Sequence, residues 1–508
     1  PWSGAIQPGS SDPIRRLVVD YPSNVMGRLP VYHLISKKSS VEDSTWFSQY
    51  GGDSYPWRGT LVFDGDVYDH IGYRARGGVW RYAMGKNMWK FDFLTGHPFK
   101  ARDDFGREVK TRWSKLNFSA CIQQGDYQHR GEQGMFEAAG FKLFNLAGEE
   151  ASLTNWVTFR IIDEAQETGA TQYDGDFWGL YLVIEQLDGR FLDEHDLPDG
   201  NFYKMEGGTG ELNNLGPAGP KDKSDLNAFL NTYTNTAPPD DWWRASLDLE
   251  RYYGYRSIIE AIHHGDVGYG KNYFYHLNPE TQQWAAYPWD LDLTWADNMF
   301  GDGNEPFKSR VLTRPAFSLE YKNRMREVRD LLYNTTEAYK LIDELAAIID
   351  DPAGSPSIVD ADRARWDYNP ILANSSIVNL SKAGQGRFYQ QASTKNFPGM
   401  VQIMKSYVVS RGSWIDTNIA ADAAIPRRPA ITYIGPPGHP IDQLIFQTSD
   451  FSDPQGSGTF GAMKWRAAEV TAPGSPPFDP DSPKLFEIDA VWESPELTAF
   501  SNKVTMPS

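Results

Sequence analysis

The chain has 508 residues, more than one ordinary hydrophobic core accommodates, so two or more domains are expected. Its 40% hydrophobic content, with 17 Trp, 26 Tyr and 27 Phe, excludes a disordered chain, and no apolar run reaches the about 18 residues of a membrane span. A net charge of −18 speaks against a nucleic-acid partner, whose phosphates need Lys/Arg patches, and the single Cys121 excludes an internal disulfide.

The chain opens "PWSGAIQPGSSDP", with neither an initiator Met nor a basic-plus-apolar leader, as expected of a fragment or of a chain whose leader has been removed. Scarce cysteine with abundant aromatics, Gly and Pro fits a bacterial exported protein. Residues 14–110 read mostly as strands: "RRLVVDY", "LPVYHLI", "GTLVFDG" and "WKFDF", with turn signals such as Asp64-Gly65 between them. A helix follows at "GMFEAAGFKLFNLAG", where Met135, Ala138, Ala139, Leu143 and Leu146 recur at helical spacing and Gly148 stops it. "NWVTFRIID" and "FWGLYLVIEQL" then read as paired strands. Helices return at "LERYYGYRSIIEAI", "YKNRMREVRDLL" and "EAYKLIDELAAIID". The Pro-rich stretch 420–440 marks a domain boundary, and short strands between Gly/Pro/Ser/Asp turns beyond it suggest a β-sandwich. That order implies a mixed α+β domain with two lobes and an all-β tail.

Three constellations carry possible chemistry. In an extended "MGKNMWKFDF", Trp89, Phe91 and Phe93 share one face while Lys86, Met88, Lys90 and Asp92 share the other. Parity leaves Lys86 and Lys90 open as a phosphate-binding lysine, and a solvated strand face is the plain alternative. In "HHGDVGYGKNYFYHL", Asp266 and Asn272 flank a Gly-rich loop, placed to orient a hydroxyl and to offer an amide oxygen to a cation; turn capping is the rival. His263, His264 and His276 lack zinc-motif spacing and read as core or surface residues. In "AAYPWDLDLTWADN", Asp290 and Asp292 point the same way on an extended backbone, which suits chelation of one hard cation. On a helix they would diverge by about 200°. Pro288 disfavours the helix, and a structural Ca²⁺ site is the main rival.

The blocks "YRARGGVWRYAMGKNMWKFDF", "GLYLVIEQLDGRFLDEHDLPDGNFYK" and "GDVGYGKNYFYHL…QQWAAYPWDLDLTWADN" occur in one order that resembles the spore-coat protein H (CotH) kinase family, over roughly residues 30–300. The resemblance implies a two-lobed atypical protein-kinase-like domain over 1–420, with a sheet-rich lobe at about 14–215 and a helical lobe at about 216–420. It implies a secreted or cell-surface bacterial protein kinase that uses ATP with Mg²⁺ or Mn²⁺ and acts on a protein substrate or another surface protein. By the same resemblance Lys86 holds the phosphates, Asp266 positions the acceptor, and Asn272 and Asp290, supported by Asp292, bind metal. Glu137, with Glu132 as competitor, is the lysine's ion-pair candidate; Arg76, Glu185 and Lys204 belong to the nucleotide cleft or its scaffold. Val79, with Trp80 beside it, stands where the family commonly has Ser, which keeps an inactive kinase-like structural or adhesion protein as the alternative. Residues 426–508 resemble a fibronectin type III-like module. From Pro429 about 80 residues remain where a complete sandwich takes about 100, so the natural chain is expected to continue.

Overall fold

The computed structural model describes residues 29–78, 81–82, 85–121, 132–164, 173, 175–296, 303, 306–350, 357–367, 388–389 and 391–506. The strand expected at "RRLVVDY" and the Val79-Trp80 departure lie outside them. Within them helix and sheet are mixed, as expected of an α+β chain.

Strands β1 (Val31–Ile35), β2 (Trp57–Phe63), β3 (Asp66–Arg76), β4 (Met88–Asp92), β5 (Lys115–Ser119), β6 (Thr154–Ile162) and β7 (Phe177–Ile184) close a barrel in the order β1-β2-β3-β4-β5-β7-β6. Every pairing is antiparallel except β1–β6, which is parallel and shuts the ring. Asp64 and Gly65, at φ 52° and 80°, make the tight β2–β3 turn, a conformation that short polar residues and glycine tolerate. Alternation sends Trp89, Phe91, Phe118, Phe159 and Tyr181 inward, where Phe91 meets Phe118 edge-on at 4.9 Å and Phe118 meets Phe159 at 5.2 Å. The same alternation turns Arg74, Arg76, Lys90 and Lys115 to the outer face.

Helix α1 (Met135–Leu146) crosses from β5 to β6, packs by its Phe136, Ala139 and Leu143 face, and ends at Gly148, φ 79°. A second sheet follows, ordered β11-β10-β8-β9, from β8 (Phe202–Glu206), β9 (Thr209–Asn214), β10 (Tyr273–Leu277) and β11 (Trp284–Pro288). The longer helices around it are α2 (Ser224–Asn235), α3 (Leu249–Ile262), α4 (Pro315–Leu331), α5 (Glu337–Ile349), α6 (Ile358–Trp366) and α7 (Phe397–Ile415). One buried core fills the barrel; a larger one runs from α1 through the second sheet and the helices to Phe486 and Ile488. Among the described residues no helix is long and apolar enough to cross a membrane.

The C-terminal region holds β12 (Ile431–Tyr433), β13 (Ile445–Thr448), β14 (Arg466–Ala467), β15 (Trp492–Glu493) and β16 (Lys503–Thr505), as a β12-β13-β16 sheet and a β14-β15 pair. These are five strands of two to four residues, against the roughly seven of a complete immunoglobulin-type sandwich. The segment is bound to the rest of the chain. The backbone N–H of Lys484 donates to Glu344 and that of Glu487 to Glu337, both at 2.8 Å, while Phe478 stacks on Phe105 with centroids 5.4 Å apart.

Candidate active site

The loop after α3 is held by hydrogen bonds from its own side chains. Helix α3 starts at Asp248, whose carboxylate accepts from Arg251 N, and stops at His263, φ 54°. Buried His264 donates Nε2–H to Trp289 O at 3.3 Å, and burial lowers its pKa to about 3, so the ring is neutral. Residues 265–270 then make a tight 3₁₀ turn. Asn272, φ 64°, returns across it: its amide N–H donates to Asp266 Oδ2 at 2.8 Å and to Asp266 O at 3.1 Å. Lys271 Nζ lies 2.8 Å from Asp266 Oδ1. Burial raises the Asp266 pKa, with Lys271 opposing and Asp290 adding to the rise.

The aspartates of the second motif are not on a strand. Strand β11 ends at Pro288, Trp289 N donates to Asn272 O at 3.2 Å, and Asp290 turns into the left-handed region at φ 60°. The extended backbone expected for Asp290 and Asp292 is therefore corrected to a turn, in which strand parity no longer applies. Their proximity survives the correction. Asp292 is held well above the usual carboxylate range by burial first, then by Asp290, Glu137, Asp266 and Glu132. Glu137 is pushed to about 7 by burial, opposed by the hydrogen bond Ser119 Oγ donates to it, raised by Asp290 and lowered by Arg76. Glu132 reaches about 8 through burial, while Phe136 N donates to it at 3.2 Å.

These carboxylates repel one another across a shared region, a setting in which a cation is favourable. Among the described residues no three His, Cys, Asp or Glu side chains stand close enough to hold an ion alone. The donor set present is two turn aspartates and an amide. It fits a hard cation of the Mg²⁺ kind, which takes one or two carboxylates and fills its shell with phosphate oxygens and water.

The lysines separate. Lys86 precedes β4 rather than sharing its outer face, and its side chain is fully buried. Its ammonium donates to Leu180 O at 2.5 Å and to Asp362 Oδ1 at 2.8 Å, 4.4 Å above the Tyr181 ring. The ion-pair partner expected in Glu137 or Glu132 is corrected to Asp362 of α6, which also accepts from Leu180 N and Gln133 Nε2. Lys90 instead lies half-buried on the outer face. Arg76 sits over the Trp289 ring at 5.6 Å, and Trp289 adjoins Asp290 in sequence. Lys204 on β8 reaches Glu206 at 3.4 Å. Buried Glu185 accepts from His195 Nε2 and from Leu153 N, each at 3.0 Å, a scaffold position tying β6, β7 and the turn at His195 together.

Sequence reasoning missed Asp362 and Gln133: "IVDADRARW" carries no mark linking it to a lysine 276 positions earlier. Lys271 was within reach, being a cation inside the same Gly-rich loop as Asp266. A groove of about 920 Å³ lies elsewhere, between α5 and the C-terminal region, lined by Lys340, Asp343, Trp465 and Val470.

Known proteins share parts of this sequence. The family model described as CotH kinase protein matches residues 126–415. Inner spore coat protein H of Bacillus subtilis (strain 168) is 20% identical over 233 residues, 40% of this chain and 64% of that protein. One of the subunits of type 2 DNA topoisomerase 6 from Natronomonas pharaonis is 23% identical over 152 residues, 29% of this chain and 41% of that protein. The chain spans less than two thirds of each of these relatives.

Proposed function

Because the chain belongs to the CotH kinase protein family, we propose that it is a secreted or cell-surface bacterial protein kinase moving the γ-phosphate of ATP to a protein hydroxyl. The observation that carries the reading is the Asp266–Asn272 hydrogen bond, in a cluster with Asp290 and Asp292. Phosphoryl transfer needs placement and charge neutralisation rather than an enzyme nucleophile. In this reading Asp266 accepts the hydrogen bond of the acceptor hydroxyl. Asn272 turns its N–H groups to Asp266, which leaves the amide oxygen for a cation, Mg²⁺ or Mn²⁺, shared with Asp290 and Asp292. When bound, that ion neutralises charge on the phosphates. Arg76, Glu137 and Lys204 line the nucleotide side, and Glu185 braces the sheet behind them. Lys86, tied to Asp362, touches phosphate only by giving up that pair.

A second reading, an inactive kinase-like structural or adhesion protein, has one observation in its favour: Lys271 already occupies Asp266 at 2.8 Å. Calorimetry with Mg-ATP and transfer of radiolabel to Ser-rich and basic acceptors separate the two. Asp290→Ala should abolish nucleotide binding while the fold survives. A variant that binds like the parent removes the metal assignment, and a parent that binds without transferring label supports the inactive reading.

A further inference from the structure

The outer face of β3–β4–β5 gathers several cations, with Asp92, opposite Lys115, as the carboxylate these strands supply. Lys90 pairs in register with Arg74 on one side and Asn117 on the other, so these side chains stand in one row. Arg76 is two residues along β3 and Lys115 two residues along β5, on the same face. Lys204 faces the group from the second sheet. Arg74 is satisfied by Asp53 at 3.2 Å and Lys204 by Glu206. Among the described residues, Lys90 and Arg76 have no carboxylate within ion-pair distance.

Half-burying a lysine beside arginine is unfavourable unless an anion joins them. Burial first, then Arg76, Lys115, Arg74 and Lys204, lower the Lys90 pKa to about 7. A solvated strand lysine would be the plain account. Two observations weigh against it: the burial, and the position of Arg76, which adjoins Lys90 on one side and Glu137 and Trp289 on the other. The cationic row therefore runs up to the acidic cluster, and a chain of negative groups ending in a cation would lie across both.

We propose that Lys90, with Arg76 and Lys204, and not Lys86, seats the phosphate chain of the nucleotide. The proposal rests on the kinase reading above and names which lysine serves it. Lys86 is fully buried and bonded to Leu180 O and Asp362, whereas Lys90 is half-buried on the outer face of the same sheet.

The test is calorimetry on the full chain with two probes: sodium tripolyphosphate in EDTA, and Mg-ATP. Lys90→Met should weaken tripolyphosphate binding at least tenfold, Lys90→Arg should restore most of it, and exposed Lys110→Met should leave it unchanged. Far- and near-UV circular dichroism of Lys90→Met should match the parent. Equal affinity of parent and Lys90→Met for both probes overturns the seat and leaves the kinase reading standing. A parent that binds neither probe overturns both. A parent that binds tripolyphosphate through Lys90 but not Mg-ATP upholds the anion seat and removes the nucleotide reading.

Discussion

Glu260 is a single carboxylate held by three cations: Arg256 at 3.0 Å, Arg411 at 2.8 Å and Lys308 at 3.2 Å. Burial alone would push its pKa up, but Arg256, Lys308 and Arg411 outweigh it and hold the carboxyl at about 2. The stabilisation is complete above the ordinary carboxylate pKa of 4.5 and is lost as pH falls through 2. Glu260→Gln leaves buried guanidinium charge uncompensated, at a cost of about 3–5 kcal/mol at pH 7. Urea unfolding should show that gap from the parent narrowing between pH 4.5 and pH 2. Lys90 works in the opposite sense. Between pH 7 and 10.5 the unfolded chain holds a proton that folded Lys90 lacks, so this residue's penalty fades as pH rises. Lys90→Met should therefore raise the melting temperature most at pH 6 and least at pH 10, and a gain that grows with pH would contradict the burial described. Asp266→Asn should lower kcat and leave nucleotide affinity nearly intact, read from label incorporation and calorimetry side by side. At this scale the sequence pointed to Asp266 and Asn272 because a Gly-rich loop flanked by such residues is a local signal. It left Lys86 and Lys90 open because their difference is tertiary: the ammonium that reaches Asp362 does so through residues far apart in the chain.

Among elements, α6 and β7 are joined by side chain to backbone hydrogen bonds. Asp362 accepts Leu180 N at 2.9 Å, Trp366 Nε1 donates to Trp178 O at 2.5 Å, and Gly179 between them has φ 143°. A Cβ on Gly179 would meet Asp362 Oδ1 at 2.5 Å and Trp366 Nε1 at 2.9 Å. Gly179→Ala should therefore cost on the order of 1–3 kcal/mol, seen as a lower urea midpoint with an unchanged slope. A neutral Gly179→Ala would mean that α6 does not sit against β7 as described. Helices α1, α3 and α5 and the β6–β7 pair were legible beforehand, since their apolar periods and short connections are local properties. Closure of the barrel was not, because the parallel β1–β6 pair joins segments more than a hundred residues apart. Nor was the turn at Asp290, whose left-handed backbone follows from the Trp289–Asn272 hydrogen bond rather than from any neighbour in sequence.

At the scale of the whole molecule, the C-terminal region is fastened to the body. Phe486 and Ile488 are buried in the same core as α1 and α3, Lys340 donates to Leu485 O at 2.7 Å, and Arg466 pairs with Glu327. A domain set apart at its Pro-rich approach would melt by itself; this region shares a core with the body. Removing residues 426–508 should strip cover from α5 and from Phe105, lower the melting temperature by several degrees and raise binding of a hydrophobic dye. Differential scanning calorimetry of the full chain should give no separate transition for that region, and an independent peak would contradict the shared core.

The closed ring has one more consequence, for self-association. Every barrel strand is paired on both sides, so no row of free backbone amides is offered for another chain to extend. Intermolecular strand pairing is thereby steered to the sheets that remain open, at β9 and at the outer strands β12 and β16, where Ile431 is 61% exposed. Until the ring opens, the aromatic strands of the barrel are withheld from aggregation by their topology rather than by charge.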